Sequence, residues 1–330
     1  MTLRIGIIGS GFVGQHINAL KKIDDVLIVA ICSRNEKKAR SLVSNNVSYY
    51  VFDNYLEMLR KENLDAVYIC LPPFLLSEIV MTCADYVKAL FIEKPIGIEI
   101  SAAHRVMESL DKVGTIVSVG YMCRYRKTLQ MAKDFFTKEP PILINGGWCS
   151  DLPSPYWWRQ RGMSGGQLTE QCTHFLDAIR FIAGEVDEVS AFSASGFIDD
   201  VNDFNVDDAI TMNFRLESGA VGNVMTSCFS RTADVGLGLF LNFSSRDKKF
   251  LFHEHCLNLN IHSLSGEKQT FFSKDDAILE ENLAFIHAVK TGDLSNIRSN
   301  YKDALESLKL SLAVDISIQE KRSVKISEFS

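Results

Sequence analysis

Glu93-Lys94-Pro95 follows directly on the apolar run Ala89–Ile92. An ammonium at the end of a buried strand can donate a hydrogen bond to a substrate oxygen and stabilise developing alkoxide charge. A second constellation lies in residues 165–177, where Leu168, Cys172, Phe175, Ile179 and Ile182 have helical spacing and Gly184 closes the pattern. On one such helix Glu170, His174 and Asp177 stand at i, i+4 and i+7, which puts an imidazole one turn from each of two carboxylates. Such an arrangement can orient the ring and tune it for proton transfer near neutrality. The competing readings are a surface lysine ahead of a rigid proline and a solvated polar stripe with one helical salt bridge.

Gly9-Ser10-Gly11-Phe12-Val13-Gly14 satisfies G-x-G-x-x-G between the apolar run 3–8 and a helical pattern over 12–20. Gly9 would make the tight turn, Gly11 would let the backbone approach a pyrophosphate, and Gly14 would allow close helix-to-strand packing. The helix N-terminus then faces the phosphates. The alternative is a glycine-rich structural turn. The next strand ends about 20 residues on, where an NAD site usually carries an acid for the ribose hydroxyls. Here the residues are Cys32-Ser33-Arg34. A hydroxyl followed by a guanidinium able to pair with a 2'-phosphate favours NADP(H) over NAD(H). Ser33 can instead cap a helix starting near Asn35, and Arg34 can be a solvated surface charge.

These groups need a scaffold. Apolar runs at 3–8, 26–31, 49–52, 66–71, 89–92 and 116–119 alternate with helical patterns at 12–20, 36–43, 55–60, 75–84 and 102–110. Strands apolar on both faces and separated by helices predict a doubly wound parallel Rossmann sheet over residues 1–122. Residues 123–330 read as an α+β domain with an open-faced, mostly antiparallel sheet. A hairpin is expected over 210–228 with its turn at Glu217-Ser218-Gly219, then strands at 237–242, 249–255, 257–261 and 269–272. Helices follow at 283–290 and around Leu305, Leu308, Leu312 and Ile316, before a last strand at 324–326, and the C-terminal helix is able to pack back on the first domain.

Composition narrows the partners. The chain has 330 residues and net charge −6, with no run of five like charges, so nucleic acid and anionic membrane are not expected partners. No stretch reaches the roughly 18 apolar residues of a spanning helix. Met1-Thr2-Leu3-Arg4 leads straight into Ile5, without the pattern of a secretory signal. Eight scattered cysteines with no C-x-x-C pair suit buried free thiols in a reducing cytoplasm and give no zinc framework. One minor metal candidate, His253-Glu254-His255-Cys256, would place His253 and His255 on one face of a strand, but no metal is expected.

The Gly9–Gly14 fingerprint, Glu93-Lys94-Pro95, Gly120-Tyr121-Met122-Cys123-Arg124-Tyr125 and the 165–177 block, in that order, resemble the Gfo/Idh/MocA family of NAD(P)-dependent oxidoreductases over nearly the whole chain. The resemblance implies an active site between the two domains that oxidises or reduces a secondary alcohol or ketone on a sugar, sugar nucleotide or cyclitol. Lys94 matches the family's active-site lysine and His174 its proton-transferring histidine. Glu170 stands where an aspartate is more usual. Leu71, Pro72 and Glu93 join the cofactor-binding set, with Trp158 and Arg159 from Tyr156-Trp157-Trp158-Arg159. Tyr121, Arg124, Tyr156 and Asp177 are the substrate candidates, and the three aromatic residues 156–158 can cover the apolar face of a sugar. Leu76 replaces a histidine common in relatives, and Gln167 replaces a glycine. The wording around Gln167 and Glu170 is similar to that of sugar-nucleotide ketoreductases. A polyol or keto-sugar substrate is implied, and an open sheet face argues for a homo-oligomer, dimer or tetramer. The rival is a nucleotide-sensing regulator of the same fold that performs no chemistry.

Overall fold

The computed structural model describes residues 2–42, 50–229 and 238–329. The chain divides into two compact units, Met1–Met122 with Asp276–Leu305, and Cys123–Asp275 with Glu306–Ser330. The first unit opens with β1 (Leu3–Ile8), α1 (Gly14–Leu20), β2 (Val26–Cys32), α2 (Glu36–Leu42), β3 (Tyr50–Phe52) and α3 (Tyr55–Lys61). It continues with β4 (Ala66–Ile69), α4 (Leu76–Ala84), β5 (Ala89–Ile92), α5 (Ile100–Val113) and β6 (Ile116–Val119). The second unit holds α6 (Lys127–Phe136), β7 (Leu143–Cys149), α7 (Arg161–Ser164), α8 (Gln167–Glu170), α9 (Thr173–Ala183) and β8 (Val186–Ala194). Then come β9 (Ala209–Leu216), β10 (Val221–Ser227), β11 (Leu239–Ser244), β12 (Lys248–His253), β13 (Asn258–Ser263) and β14 (Lys268–Phe272). Helix α10 (Ala277–Thr291) belongs to the first unit, α11 (Tyr301–Glu320) crosses the division, and β15 (Val324–Lys325) closes the second.

The first sheet has the order β3-β2-β1-β4-β5-β6 with every pair parallel. Strands β4 and β5 are buried at every position, as a sheet covered on both faces requires. Local signals set the helix ends. Asn54 accepts the N–H groups of Leu56 and Glu57 to start α3, and Gly114 ends α5 in the left-handed region. The expected elements overshoot at the ligand edge: Phe12 and Val13 stay in the loop before α1, and β4 stops at Ile69. Val43, Tyr49 and Leu237 lie outside the described residues.

A single boundary at residue 122 does not describe the first unit. Phe285 and Ile286 of α10 are buried in one core with Ile5, Val13, Ile17, Tyr68 and Phe91. Asp276 caps α10 and its carboxylate pairs with Lys22 at 2.8 Å.

The second sheet has the order β14-β13-β12-β11-β7-β10-β9-β8-β15, antiparallel except where β10 pairs with β7. Strand β9 alternates as expected, with Ile210, Met212, Phe214 and Leu216 buried and Thr211, Asn213 and Arg215 exposed. Strands β7 and β8 were not anticipated. Strand β7 carries Gly146-Gly147, which argues against a strand locally, yet a Cβ on Gly147 would stand 2.5 Å from the Phe240 ring and one on Gly146 2.9 Å from Leu241. The 249–255 strand ends at His253, because Glu254, His255 and Cys256 all have left-handed φ of 51° to 62°. His253 and His255 therefore share no strand face, and among the described residues this segment gathers no metal-ligand set.

Candidate active site

The glycine loop leaves β1 through Gly9, whose φ is +109° and whose missing Cβ would lie 2.2 Å from the Cys70 carbonyl oxygen and 3.3 Å from the Leu71 side chain. Only glycine fits where the ends of β1 and β4 come together. Gly11 differs: a Cβ there would meet nothing within 4 Å, so the protein leaves open space beside the loop at this position. Gly14 does not play the expected part, since a Cβ there would make only ordinary contact with Leu42 of α2 at 3.7 Å. The first turn of α1 carries no acid to repel phosphate.

Ser10 and Ser33 join the loop to the end of β2 through their hydroxyls, 2.8 Å apart. Ser33 Oγ also accepts the Asn35 N–H, but Asn35 itself caps α2 by accepting from Lys38 at 2.9 Å. Arg34 is exposed beside them. Asp53 carries no local signal in the sequence. Burial first, and then this exposed carboxylate at the end of β3, push the Cys32 thiol up to about 11. A negative charge therefore does reach the end of β2, carried by the neighbouring strand, where no local motif announces it. The glycine turn, the open approach at Gly11 and the hydroxyl pair fit a dinucleotide.

Lys94 leaves the end of β5 half-buried, its backbone N–H donating to Glu93 Oε2 at 3.1 Å. Glu93 is not a solvent-facing ligand: it is 6% exposed and bonded to His16 at 2.7 Å. Pro72 precedes a short 3-10 turn at Pro73–Leu75, and Tyr121 is buried in the first unit.

In the second unit the expected single helix is broken. Gln167 Nε2 donates to the Ser227 carbonyl at 2.5 Å and ties α8 to the end of β10. The Cys172 N–H then reaches back to Gln167 O at 3.0 Å before α9 begins. That junction changes the helical phase, so Glu170, His174 and Asp177 do not form one continuous row. The Glu170 carboxylate accepts the Trp158 indole N–H at 2.8 Å. His174, 7% exposed, lies in the first turn of α9 with its ring stacked on Trp148 at 6.0 Å and an interplanar angle of 15°. The Cys123 thiol is within hydrogen-bonding reach of both Cys256 and His174. The Cys256 S–H, and secondarily the His174 ring, hold Cys123 well below the usual thiol range against the opposing effect of burial.

Two substrate candidates are accounted for by each other. Arg124 grips Asp177 through two N–H donors at 2.8 and 2.7 Å, and Ser307 adds a third bond at 3.0 Å. Asp177 is fully buried and Arg124 nearly so, so their visible role is structural. Trp158, expected at the cofactor, is 1% exposed in a cluster with Val206 and Cys228. Tyr156 is 51% exposed, with the Arg159 guanidinium 6.0 Å from its ring centre.

Residues 3–121 match the NAD-binding Rossmann-fold model of the Gfo/Idh/MocA oxidoreductases, and residues 141–241 match that family's C-terminal domain model. The chain belongs to the Gfo/Idh/MocA family. It is an NAD(P)-dependent dehydrogenase. This Gfo/Idh/MocA chain is 28% identical over 338 positions to myo-inositol 2-dehydrogenase of Thermotoga maritima, covering 99% of each chain. It is 24% identical over 344 positions to inositol 2-dehydrogenase of Rhizobium meliloti, covering 99% of this chain and 100% of that one. A levoglucosan dehydrogenase solved with NADH and levoglucosan superposes with a TM-score of 0.86 over 99% of this chain and all of the other at 18% identity, which is a likeness of fold. Among the described residues no helix is long and apolar enough to cross a membrane.

Proposed function

We propose that this dehydrogenase moves a hydride between NADP(H) and the secondary carbinol carbon of a cyclitol, polyol or keto-sugar. The observation that carries the reading is the half-buried Lys94 at the ligand edge of a sheet whose glycine loop is open at Gly11. A bound nicotinamide supplies or accepts the hydride. Lys94 donates a hydrogen bond to the substrate oxygen and stabilises charge developing there. His174 exchanges the hydroxyl proton, its ring held flat against Trp148. Glu170 is locked by Trp158 and fixes a negative charge just ahead of α9. The exposed Tyr156 ring offers an apolar face to a sugar. Full-length similarity to two inositol dehydrogenases supports a cyclitol or related polyol over a sugar nucleotide. Free thiols at all eight cysteines suit action in a reducing cytoplasm.

Lys94→Ala and His174→Ala are each expected to lower kcat by about 10² while cofactor affinity stays within a few fold. Wild-type turnover in both variants, followed as appearance of reduced nicotinamide with a panel of cyclitols and sugars, would remove the assignment. Absence of turnover by the wild type on the whole panel, with cofactor binding retained, would remove cyclitols and sugars of that panel as the substrate class.

Arg34 and the absence of an acid on β2 support NADP(H); Asp53 is the specific observation in favour of NAD(H). Arg34→Ala is expected to weaken NADPH binding by about tenfold or more and to leave NADH within a few fold, and Asp53→Ala to tighten NADPH. Calorimetry that instead shows Asp53→Ala weakening NADH, with Arg34→Ala neutral, assigns NAD(H).

A further inference from the structure

Glu93 precedes Lys94, and its carboxylate is held by two hydrogen bonds within the first unit. Oε1 lies 2.7 Å from His16 Nε2, and Oε2 accepts the Lys94 backbone N–H at 3.1 Å. Gly120 makes the room, since a Cβ there would stand 2.9 Å from Oε1. On the far side of the imidazole, Asn282 Nδ2 lies 3.0 Å from His16 Nδ1 and 2.6 Å from the Ile278 carbonyl one turn back on α10. A carbonyl only accepts, so the amide must present its NH₂ to Ile278, and the second N–H of that group donates to Nδ1. The opposite amide orientation would set two oxygens against each other. Nδ1 therefore holds the lone pair, and the ring proton sits on Nε2 and is donated to Glu93.

Glu281 completes a set in which one atom each from His16, Glu93 and Glu281 lie within 4.8 Å of one another, the composition of a metal site. Burial first and then Glu281 push the Tyr68 hydroxyl up, and burial first and then Glu93 and Glu281 push the Cys70 thiol up. A metal would need the Nε2 lone pair. That nitrogen carries the proton instead, because Asn282 occupies Nδ1 as a donor.

We infer that Asn282, His16 and Glu93 form a proton-ordered positioning chain for Lys94. It fixes the Glu93 carboxylate, through it the Lys94 backbone N–H, and so the point at which the lysine side chain leaves the sheet edge. The inference rests on the role proposed for Lys94, and the three residues act through it without touching substrate.

The decisive measurement is histidine ¹⁵N NMR of the wild-type protein with NADPH bound, the His16 signal being assigned by its loss in His16→Gln. The neutral Nε2–H tautomer is expected; an Nδ1–H ring, or one equivalent of zinc or another transition metal in the purified protein, overturns the chain. His16→Leu removes the donor and is expected to lower kcat by about tenfold to a hundredfold with KM within a few fold. His16→Gln, whose amide can still donate to Glu93, should recover most of that loss. Asn282→Asp exchanges a donor for an acceptor, so it should protonate Nδ1 in the NMR spectrum and displace the pH profile of kcat. Wild-type kcat in His16→Leu beside an inactive Lys94→Ala sinks the chain and spares Lys94. Turnover retained by Lys94→Ala removes the reading beneath it, whatever the His16 variants do. If His16→Leu does not fold, the wild-type tautomer decides.

Discussion

Asp177 is the residue whose chemistry the fold most constrains. Its carboxylate takes two N–H bonds from Arg124 and one hydroxyl bond from Ser307, and a second guanidinium, from Arg180, lies 3.9 Å away. Arg180 turns its other donors to Glu185 at 2.7 and 2.8 Å. Removing one member of such a buried pair leaves the partner's charge without compensation, which costs about 3–5 kcal/mol. Asp177→Ala is therefore expected to lower the unfolding free energy by about that amount in urea titrations, while substrate KM of the folded enzyme stays within a few fold. A large KM increase with unchanged stability would return Asp177 to the substrate site. The same carboxylate in an open helix row would have been a plausible proton-transfer partner, and burial against Arg124 is what separates the two roles.

At the scale of the element, the turn from β1 into α1 combines two glycines with different reasons to exist. Gly9 answers to the protein, because its left-handed φ and the Cys70 carbonyl 2.2 Å from a Cβ exclude any side chain. Gly11 is not required by the protein's own packing, because nothing contests the space a Cβ would take, and its proposed reason is the cofactor. Gly9→Ala is expected to destabilise the first unit by about 3 kcal/mol or more. Gly11→Ala should leave stability within about 0.5 kcal/mol and weaken cofactor binding at least several fold. Thermal unfolding with and without NADPH distinguishes them, and equal destabilisation of the unliganded protein by both would contradict this division. The α8–α9 break belongs to the same scale: Gln167 anchors one short helix to β10, and the next starts in a new phase with His174 in its first turn.

Across the whole molecule the second sheet turns one face outward, and pairing register decides what that face presents. Asn213, Asn223, Asn145 and Asn242 stand opposite one another on β9, β10, β7 and β11. Phe192 on β8 and Phe272 on β14 lie toward the two ends of the row, 72% and 70% exposed. A row of amides between exposed aromatic residues suits a second copy of the chain, which can bury the rings and answer the amides in kind. Sedimentation is expected to give a dimer or tetramer of the 37.0 kDa chain, and a monomer at micromolar concentration would contradict that expectation.

The G-x-G-x-x-G turn, the apolar strand runs and the lysine after β5 were legible in the sequence because each depends on neighbours a few residues away. Local pattern was enough to place Gly9 in a turn no other residue can make, and to put Lys94 at the strand ends where this fold holds ligands. It was not enough for β7, whose Gly146-Gly147 looks like a break until Phe240 and Leu241 are packed against it. Nor could it show that Asp177 belongs to Arg124, that Asp53 lends its charge to the end of β2, or that Asn282 sets the proton on His16. Those pairings join residues that chain order leaves apart, so helical or strand period carries no trace of them. Periodicity reports which face of an element is apolar; only tertiary packing decides which polar groups meet once water has been excluded.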